Sequence, residues 1–118
     1  MAPKVPLPTL LDRTLFRDLA DQWYAKTGML SVVAQAAMHP AYQAIIGMGT
    51  IAIPLILDEM RTHGPTHWAG ALRELTHENP IRPEDHGYVD RITKRWLQWG
   101  AEQGYITARD GVAPWLTD

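Results

Sequence analysis

Glycine and proline cut this chain into short segments, and their spacing constrains the fold more than any other feature of the sequence. Gly28, Gly64, Pro80 and Gly104 stand where helices of ordinary length would end. Between these positions apolar residues recur three or four places apart, which is the period of an α-helix with one buried side. No segment shows the two-residue alternation of a strand convincingly. The sequence therefore predicts an all-α fold, a compact bundle of five or six helices.

The first helix is predicted over residues 10–26, where apolar side chains recur every four residues at Leu11, Leu15, Leu19 and Trp23. An alanine-rich apolar run over residues 29–38 follows and predicts a short buried helix. Both segments are expected to contribute to one core.

Later helices are predicted from their first and last residues. Pro40 suits the first turn of one helix, because its missing N–H needs no partner there. Thr50 is expected to cap the next helix, which Gly64 ends. The last helix is predicted from residues that recur alternately three and four places apart and so form one apolar seam along the helix: Val89, Ile92, Trp96, Trp99 and Gln103. Gly104 is expected to terminate this helix.

The length of 118 residues suits a single domain. We expect an extended N-terminal arm over residues 1–8, one helical domain over residues 9–104 and a C-terminal tail over residues 105–118. The arm carries three prolines and no long apolar run, which is unlike a signal peptide or a membrane span. A cytoplasmic location without membrane association is therefore expected.

The cysteine count and the net charge exclude several kinds of site and binding. The chain has no cysteine, which removes disulfides, thiolate nucleophiles and thiolate metal sites. Its formal net charge is -2, so no overall positive field attracts it to nucleic acid. Binding to DNA or RNA would need a local basic patch.

Residues 48–60, with the sequence MGTIAIPLILDEM, resemble the first helix of a HEAT-type repeat: a glycine, an alanine, a proline and then paired leucine-type residues. Residues 68–76 would form the second helix. The resemblance implies a HEAT-like helical hairpin within the bundle. The sequence departs from the repeat pattern at Trp68, where the repeat usually has an arginine near the start of its second helix.

A longer stretch, residues 23–106, resembles a family of small bacterial proteins that has no established activity. The resemblance is carried by His39-Pro40-Ala41-Tyr42-Gln43, Ile45-Ile46-Gly47-Met48-Gly49, Asn79-Pro80 and Trp96-Leu97-Gln98-Trp99-Gly100. It implies a bacterial origin and says nothing about chemistry.

Side chains suited to catalysis or metal binding occur in unfavourable patterns. His63 and His67 have the four-residue separation of a helical metal pair, but Gly64 and Pro65 break the helix between them, so no metal site is expected. Ser31 lacks the glycine pattern of a nucleophile elbow. No cofactor is expected, because no glycine-rich loop has phosphate-binding spacing.

Two pairs of adjacent acidic residues, Asp58-Glu59 and Glu84-Asp85, are interpreted as solvated surface. Neighbouring residues on a helix point about 100° apart, so neither pair aims at one substrate atom. An enzyme with a site made of His39, His67 and acidic neighbours is the least favoured hypothesis.

The favoured hypothesis is a noncatalytic protein-interaction module, such as an accessory or inhibitory subunit of a bacterial protein pair. Five tryptophans accompany one phenylalanine, and tryptophan is frequent both in cores and at interface hot spots. The residues predicted to contact the partner are His39, Tyr42, Gln43, His67, Trp68 and Trp115.

The alternative hypothesis is a small nucleic-acid-binding regulator. Arg91, Lys94 and Arg95 are predicted to project from the last helix on the side opposite its apolar seam. Three cations would give weak, salt-sensitive binding, and an ordinary charged helix face has the same pattern.

Overall fold

The computed structural model describes residues 7–27, 38–64 and 68–106, and in these ranges it confirms the all-α prediction. Its α-helices are α1 (Leu10–Thr27), α2 (Pro40–Gly47), α3 (Ala52–His63), α4 (Ala69–Thr76) and α5 (Val89–Glu102). Short 3₁₀ turns, Gly49–Ile51 and Pro83–Asp85, precede α3 and α5. The described ranges contain no strand.

Helix α1 begins with a reciprocal cap. The Asp12 carboxylate accepts a hydrogen bond from the Thr9 backbone N–H at 2.8 Å, and the Thr9 hydroxyl oxygen accepts one from the Asp12 N–H at 3.1 Å. Each side chain thereby pairs an N–H group that the helix leaves without a partner. The start of α1 is thus fixed by its own sequence.

The next two helices begin in different ways. Pro40 is the first residue of α2, as predicted, and His39 caps it by accepting a hydrogen bond from the Ala41 N–H at 3.0 Å. The prediction that Thr50 caps α3 is wrong, because the chain enters α3 directly from a 3₁₀ turn and its first flanking residue, Ile51, makes no side-chain cap. Gly64 ends α3 at a φ of 95°, a conformation that favours glycine.

Helix α5 ends in a Schellman motif. Gly104 has a φ of 85°, the Tyr105 N–H donates to the Gly100 carbonyl at 2.9 Å, and the Gly104 N–H donates to the Ala101 carbonyl at 3.2 Å. This confirms Gly104 as the terminating residue. Tyr105 and Ile106, the first two residues of the predicted tail, then pack on the core.

The helices enclose one core. Helix α1 packs on α2 and α3, α3 packs on α5, and α4 contacts α2, α3 and α5. The largest fully buried apolar side chains come from α2, α3, α4, α5 and the α4 N-cap: Tyr42, Ile45, Ile53, Ile56, Leu57, Met60, Trp68, Leu72, Trp96 and Leu97.

Helices α3 and α5 approach closely at Gly100. A Cβ atom at this position would lie 2.6 Å from Leu57 Cδ1, which is closer than real Cβ contacts. The absence of a side chain at Gly100 therefore lets α5 lie directly on Leu57. The predicted seam of α5 is only partly correct, since Trp96 is buried while Ile92 and Trp99 are half-buried.

The four-residue row of α1 winds from solvent into the core. Each step of four residues rotates about 40° around a helix axis, so three steps rotate about 120°. Accordingly Leu11 is 81% exposed, Leu15 is 48% exposed, Leu19 is half-buried and Trp23 is only 3% exposed. The row therefore confirms the helical period, while its first two leucines lie on the solvent side of α1.

Some predicted segments lie outside the described residues. These are the arm up to residue 6, the helix over residues 29–38 except for its last residue, and the tail from residue 107. Met38, the last residue of that predicted helix, is exposed. The HEAT-like hairpin stays a prediction, although α3 and α4 lie where its two helices were expected.

Candidate functional site

Four exposed leucines surround the start of α1. Leu7, Leu10 and Leu11 are each about four-fifths exposed, and Leu15 is half-exposed. We call these four residues the leucine face. Single exposed apolar side chains are ordinary, whereas four of them within nine residues concentrate apolar surface around the start of α1.

Helix geometry and local hydrogen bonds shape the leucine face. Leu11 and Leu15 are four residues apart and therefore lie one above the other. Thr14 lies beside them and donates its hydroxyl hydrogen to the Leu10 carbonyl at 2.9 Å, so its polar atom has a partner within the helix. One turn later the surface becomes polar, where the Gln22 amide donates to the Asp18 carboxylate at 3.1 Å.

A groove lies between the segment that leads into α1 and the residues that follow α5. It has a volume of about 520 Å³ and is lined by Pro8 and Arg13 on the α1 side, Leu55 on α3, and Tyr105 and Ile106 after α5. The last described residues of the chain therefore lie close to the segment that leads into α1.

The other half of α1 ends in a polar cluster centred on the buried Glu59. Glu59 is 4% exposed, and its two carboxylate oxygens accept hydrogen bonds from the Arg17 guanidinium at 2.7 and 3.2 Å. The Tyr24 hydroxyl donates to Glu59 Oε2 at 2.7 Å, and His63 Nδ1 lies 3.0 Å from the same oxygen. We call Arg17, Tyr24, Glu59 and His63 the Glu59 cluster.

The pKa values of two groups in the Glu59 cluster, Arg17 and Tyr24, are shifted. The hydrogen bond to Glu59 raises the pKa of Arg17 above its ordinary value. Burial raises the pKa of Tyr24, and the adjacent Glu59 raises it further. Because the oxygens of Glu59 already accept bonds from Arg17 and Tyr24, this carboxylate is suited to joining α1 to α3.

The interpretation of Asp58 and Glu59 as a solvated pair is therefore wrong for Glu59. Asp58 is exposed and pairs with Arg61 at 2.8 Å, but Glu59 lies on the same side of α3 as the buried Leu55 and Ile56. The position of Glu59 on this apolar side of α3 was the sequence signal that it is buried. The partners that neutralise the charge, 42 and 35 residues away in sequence, gave no local signal.

Trp68 is the centre of an aromatic cluster, and the prediction that it is a spare, exposed aromatic is wrong. Its ring is fully buried, stacks on Tyr42 with centroids 5.4 Å apart, and lies 4.6 Å from the ring of Trp23. Its indole N–H donates to the Tyr24 hydroxyl at 3.0 Å. A side chain held in this way is not available on the surface for a partner.

Tyr42 is likewise buried, which removes it from the predicted contact surface. Its hydroxyl accepts a hydrogen bond from the Ala71 N–H at 2.8 Å. Burial raises the pKa of Tyr42 to about 12. Helix α4 covers this hydroxyl, which lies against Gly70 and Ala71.

The other predicted contact residues are scattered. His39 is half-buried with Nδ1 engaged as the α2 cap, and Gln43 is exposed. His67 and Trp115 lie outside the described residues. Within the described ranges, the structure does not assemble these predicted residues into one surface.

The predicted basic patch on α5 is partly neutralised. Arg95 donates to Asp85 at 2.8 Å, and Asp85 is buried, which corrects its interpretation as solvated surface. This hydrogen bond lowers the pKa of Asp85. Arg91 lies 4.3 Å over the Tyr88 ring, and Lys94 is exposed.

Within the described ranges, no group of three or more histidine, aspartate or glutamate side chains is placed to hold a metal ion. No single described helix has the length and apolar character of a membrane span. The consecutive segments Pro40–Gly47 and Gly49–His63 together are long and apolar enough, but the chain bends by 105° between them.

Comparison with known proteins gives no relative. No protein-family model, no curated protein and no solved structure matches the chain.

Proposed function

We propose that this chain is a noncatalytic helical module that binds another protein through the leucine face, as an accessory or inhibitory subunit of a bacterial protein pair would. The observation that carries the proposal is the exposure of Leu7, Leu10, Leu11 and Leu15 beside a core that is already sealed. Exposing these side chains costs free energy unless another surface covers them.

The engagement of the polar groups supports a binding role over a catalytic one. Among the described residues, Glu59 and Asp85 are the buried charged groups, and each accepts hydrogen bonds from an arginine of the same chain. His39 is occupied as a helix cap. The leucine face, in contrast, has no charged group on it, although Asp12 and Arg13 lie at its edge.

The surface indicates the chemistry of the partner. Leu11 and Leu15 form a short apolar ridge that is bounded by Asp18 on the next turn. Such a ridge fits the apolar side of an amphipathic helix or a shallow apolar groove. The HEAT-like hairpin is less suited to direct docking, because the apolar side chains of α3 are buried within this domain.

Photo-cross-linking in the cells that naturally make the chain tests the proposal. Benzoylphenylalanine replaces Leu11 in one variant and Gln22, an exposed polar residue of the same helix, in the control variant. We expect the Leu11 variant to give one discrete adduct with a second protein, identified by mass spectrometry, and the control to give none. Equal adducts at both positions, or no adduct at Leu11, would contradict the proposal.

The nucleic-acid alternative draws on Arg91, Lys94 and Arg95, which line one cleft of about 270 Å³ together with Glu84 and Asp85. Two acidic neighbours reduce the positive potential there, so this alternative has weaker support. If it holds, the Arg91→Ala/Lys94→Ala double variant, which leaves the Arg95–Asp85 pair intact, loses duplex-DNA affinity in a filter-binding assay. Equal binding by wild type and variant would rule it out.

A further inference from the structure

The groove between the start of α1 and the end of α5 contains a cation that the described residues do not neutralise. Arg13 is exposed and lines the groove, and its guanidinium has no hydrogen-bond or ion-pair partner among the described residues. Asp58 lines the same groove but pairs with Arg61 at 2.8 Å. The part of the groove that the structure describes therefore carries one positive charge without a counter-charge.

Apolar side chains form the walls around Arg13. Pro8, Pro54 and Leu55 line the groove on the side of α1 and α3, and Tyr105 and Ile106 line it after α5. Its volume of about 520 Å³ lies within the range of roughly 300–1,000 Å³ that is usual for small-molecule sites. Such sites combine mostly apolar walls with a few polar groups that orient the ligand, as this groove does.

Local structure holds these walls in place. The Schellman motif at Gly104 fixes the direction in which the chain leaves α5, and the Tyr105 ring stacks on Trp99 with centroids 5.4 Å apart. On the opposite wall, the reciprocal cap between Thr9 and Asp12 fixes the start of α1. A site whose walls are already ordered loses little conformational entropy when a ligand binds.

We propose that this groove binds a small organic monocarboxylate whose apolar body carries an aromatic ring. The Arg13 guanidinium offers a planar fork of N–H donors that matches a carboxylate. The proline and tyrosine rings of the walls offer flat apolar surfaces to an aromatic group. The negative charge of Asp58 disfavours a second carboxylate on the ligand.

This site is separate from the proposed docking surface. Arg13 is two residues from Leu11 and two from Leu15, which places it about 160° around the axis of α1 from both leucines. The groove and the leucine ridge therefore face different sides of α1. Binding of the carboxylate does not rest on the docking role, and either one fails without the other.

A methyl NMR titration of the full chain with phenylpropionate tests the proposal. We expect saturable shifts at Leu55 and Ile106, which line the groove, and none at Leu72, which does not. Phenylpropanamide keeps the ring without the charge, and propionate keeps the charge without the ring. We expect both probes to bind at least about tenfold more weakly, because each lacks one of the two interactions.

Substitution of Arg13 tests the role of its charge. We expect Arg13→Gln to weaken phenylpropionate binding at least about tenfold, because hydrogen bonds to charged groups contribute on this scale. Arg13→Lys keeps the charge but loses the fork, so an intermediate affinity is expected. The control is Arg73→Gln, the same charge change at an exposed residue of a different cleft, and we expect it to leave the affinity unchanged.

Several outcomes would overturn the proposal. One is the absence of saturable shifts at Leu55 and Ile106, and another is equal affinity for phenylpropionate and its amide. Equal binding by the wild type and Arg13→Gln would also overturn it. Tighter binding of phenylalanine, or of a short peptide that ends in phenylalanine, would show a different ligand class. For a monocarboxylate, Asp58→Asn leaves the affinity equal or raises it, and a loss in this variant would instead show that the groove binds an amine as well.

Discussion

The two halves of α1 have similar apolar content but opposite surroundings. The half that contains Phe16, Ala20 and Trp23 is sealed against α2, α3 and the Trp68 ring. The half that begins with Leu10 and Leu11 presents its leucines to solvent. A single helix therefore serves the core at one end and leaves an apolar surface at the other.

The difference shows what decides burial on a helix. The four-residue row rotates about 120° from Leu11 to Trp23, so its first members turn away from the neighbours that its last member contacts. Charged groups mark the transition, since Arg17 pairs with the buried Glu59 on one side and with the exposed Asp21 on the other. The leucine face is thus set by where α2 and α3 lie, and the leucine content of α1 alone does not determine it.

The largest effect on the free energy of unfolding is expected from a substitution in the buried half of α1. Trp23→Ala removes a ring that packs on Trp68 and Tyr42, and we expect it to lower the free energy of unfolding by about 3–5 kcal/mol. The matched variant Leu11→Ala, in the same four-residue row, is expected to change it by no more than about 0.5 kcal/mol. Urea unfolding followed by circular dichroism measures both, and similar losses in the two variants would contradict the division of α1.

A smaller effect is expected at the carboxylate that joins α1 to α3. Glu59→Gln leaves Arg17 and Tyr24 facing an uncharged amide, and we expect a loss of about 2–3 kcal/mol, because hydrogen bonds to charged groups contribute in this range. Asp58→Asn is the control, since its ion pair with Arg61 is on the surface and contributes little. If both neighbouring substitutions cost the same, the Glu59 cluster does not hold the helices together.

A further stability effect is expected in alkali. Burial raises the pKa of Tyr42 from 10.0 to about 12, so the folded state favours the neutral phenol. Its contribution is fully present below about pH 10 and is lost as the pH rises toward 12. Comparison of urea unfolding at neutral and alkaline pH should show a smaller alkaline loss in Tyr42→Phe than in the wild type. Equal losses would show that the Tyr42 phenol is not responsible for this pH dependence.

Much of the fold follows from local sequence signals. The bounds of α1 were predicted to within one residue at each end, and Pro40, Gly64 and Gly104 begin or end helices as predicted. These signals act within a few residues, where backbone geometry and caps decide the outcome. Thr50 failed as a cap because the 3₁₀ turn before α3 supplied another entry into the helix.

The candidate site was less predictable, because it depends on contacts between distant residues. Whether Trp68 is exposed depends on Trp23, Tyr24 and Tyr42, which reach it from α1 and α2. Leu11 looked like a core residue because spacing reports a helix side but not whether a neighbouring helix extends far enough to cover it. A helical-wheel projection of α1 alone therefore cannot locate the leucine face.

The most direct test of the central claim is the affinity of the protein that cross-links at Leu11 for the Leu10→Ser/Leu11→Ser variant, measured by isothermal titration calorimetry. We predict at least a tenfold weaker binding than to the wild type, or about 1.4 kcal/mol or more, because central apolar contacts dominate such interfaces. The free energy of unfolding should stay unchanged, since both leucines are exposed. Equal affinity for the two proteins would contradict the claim that the start of α1 is the docking surface.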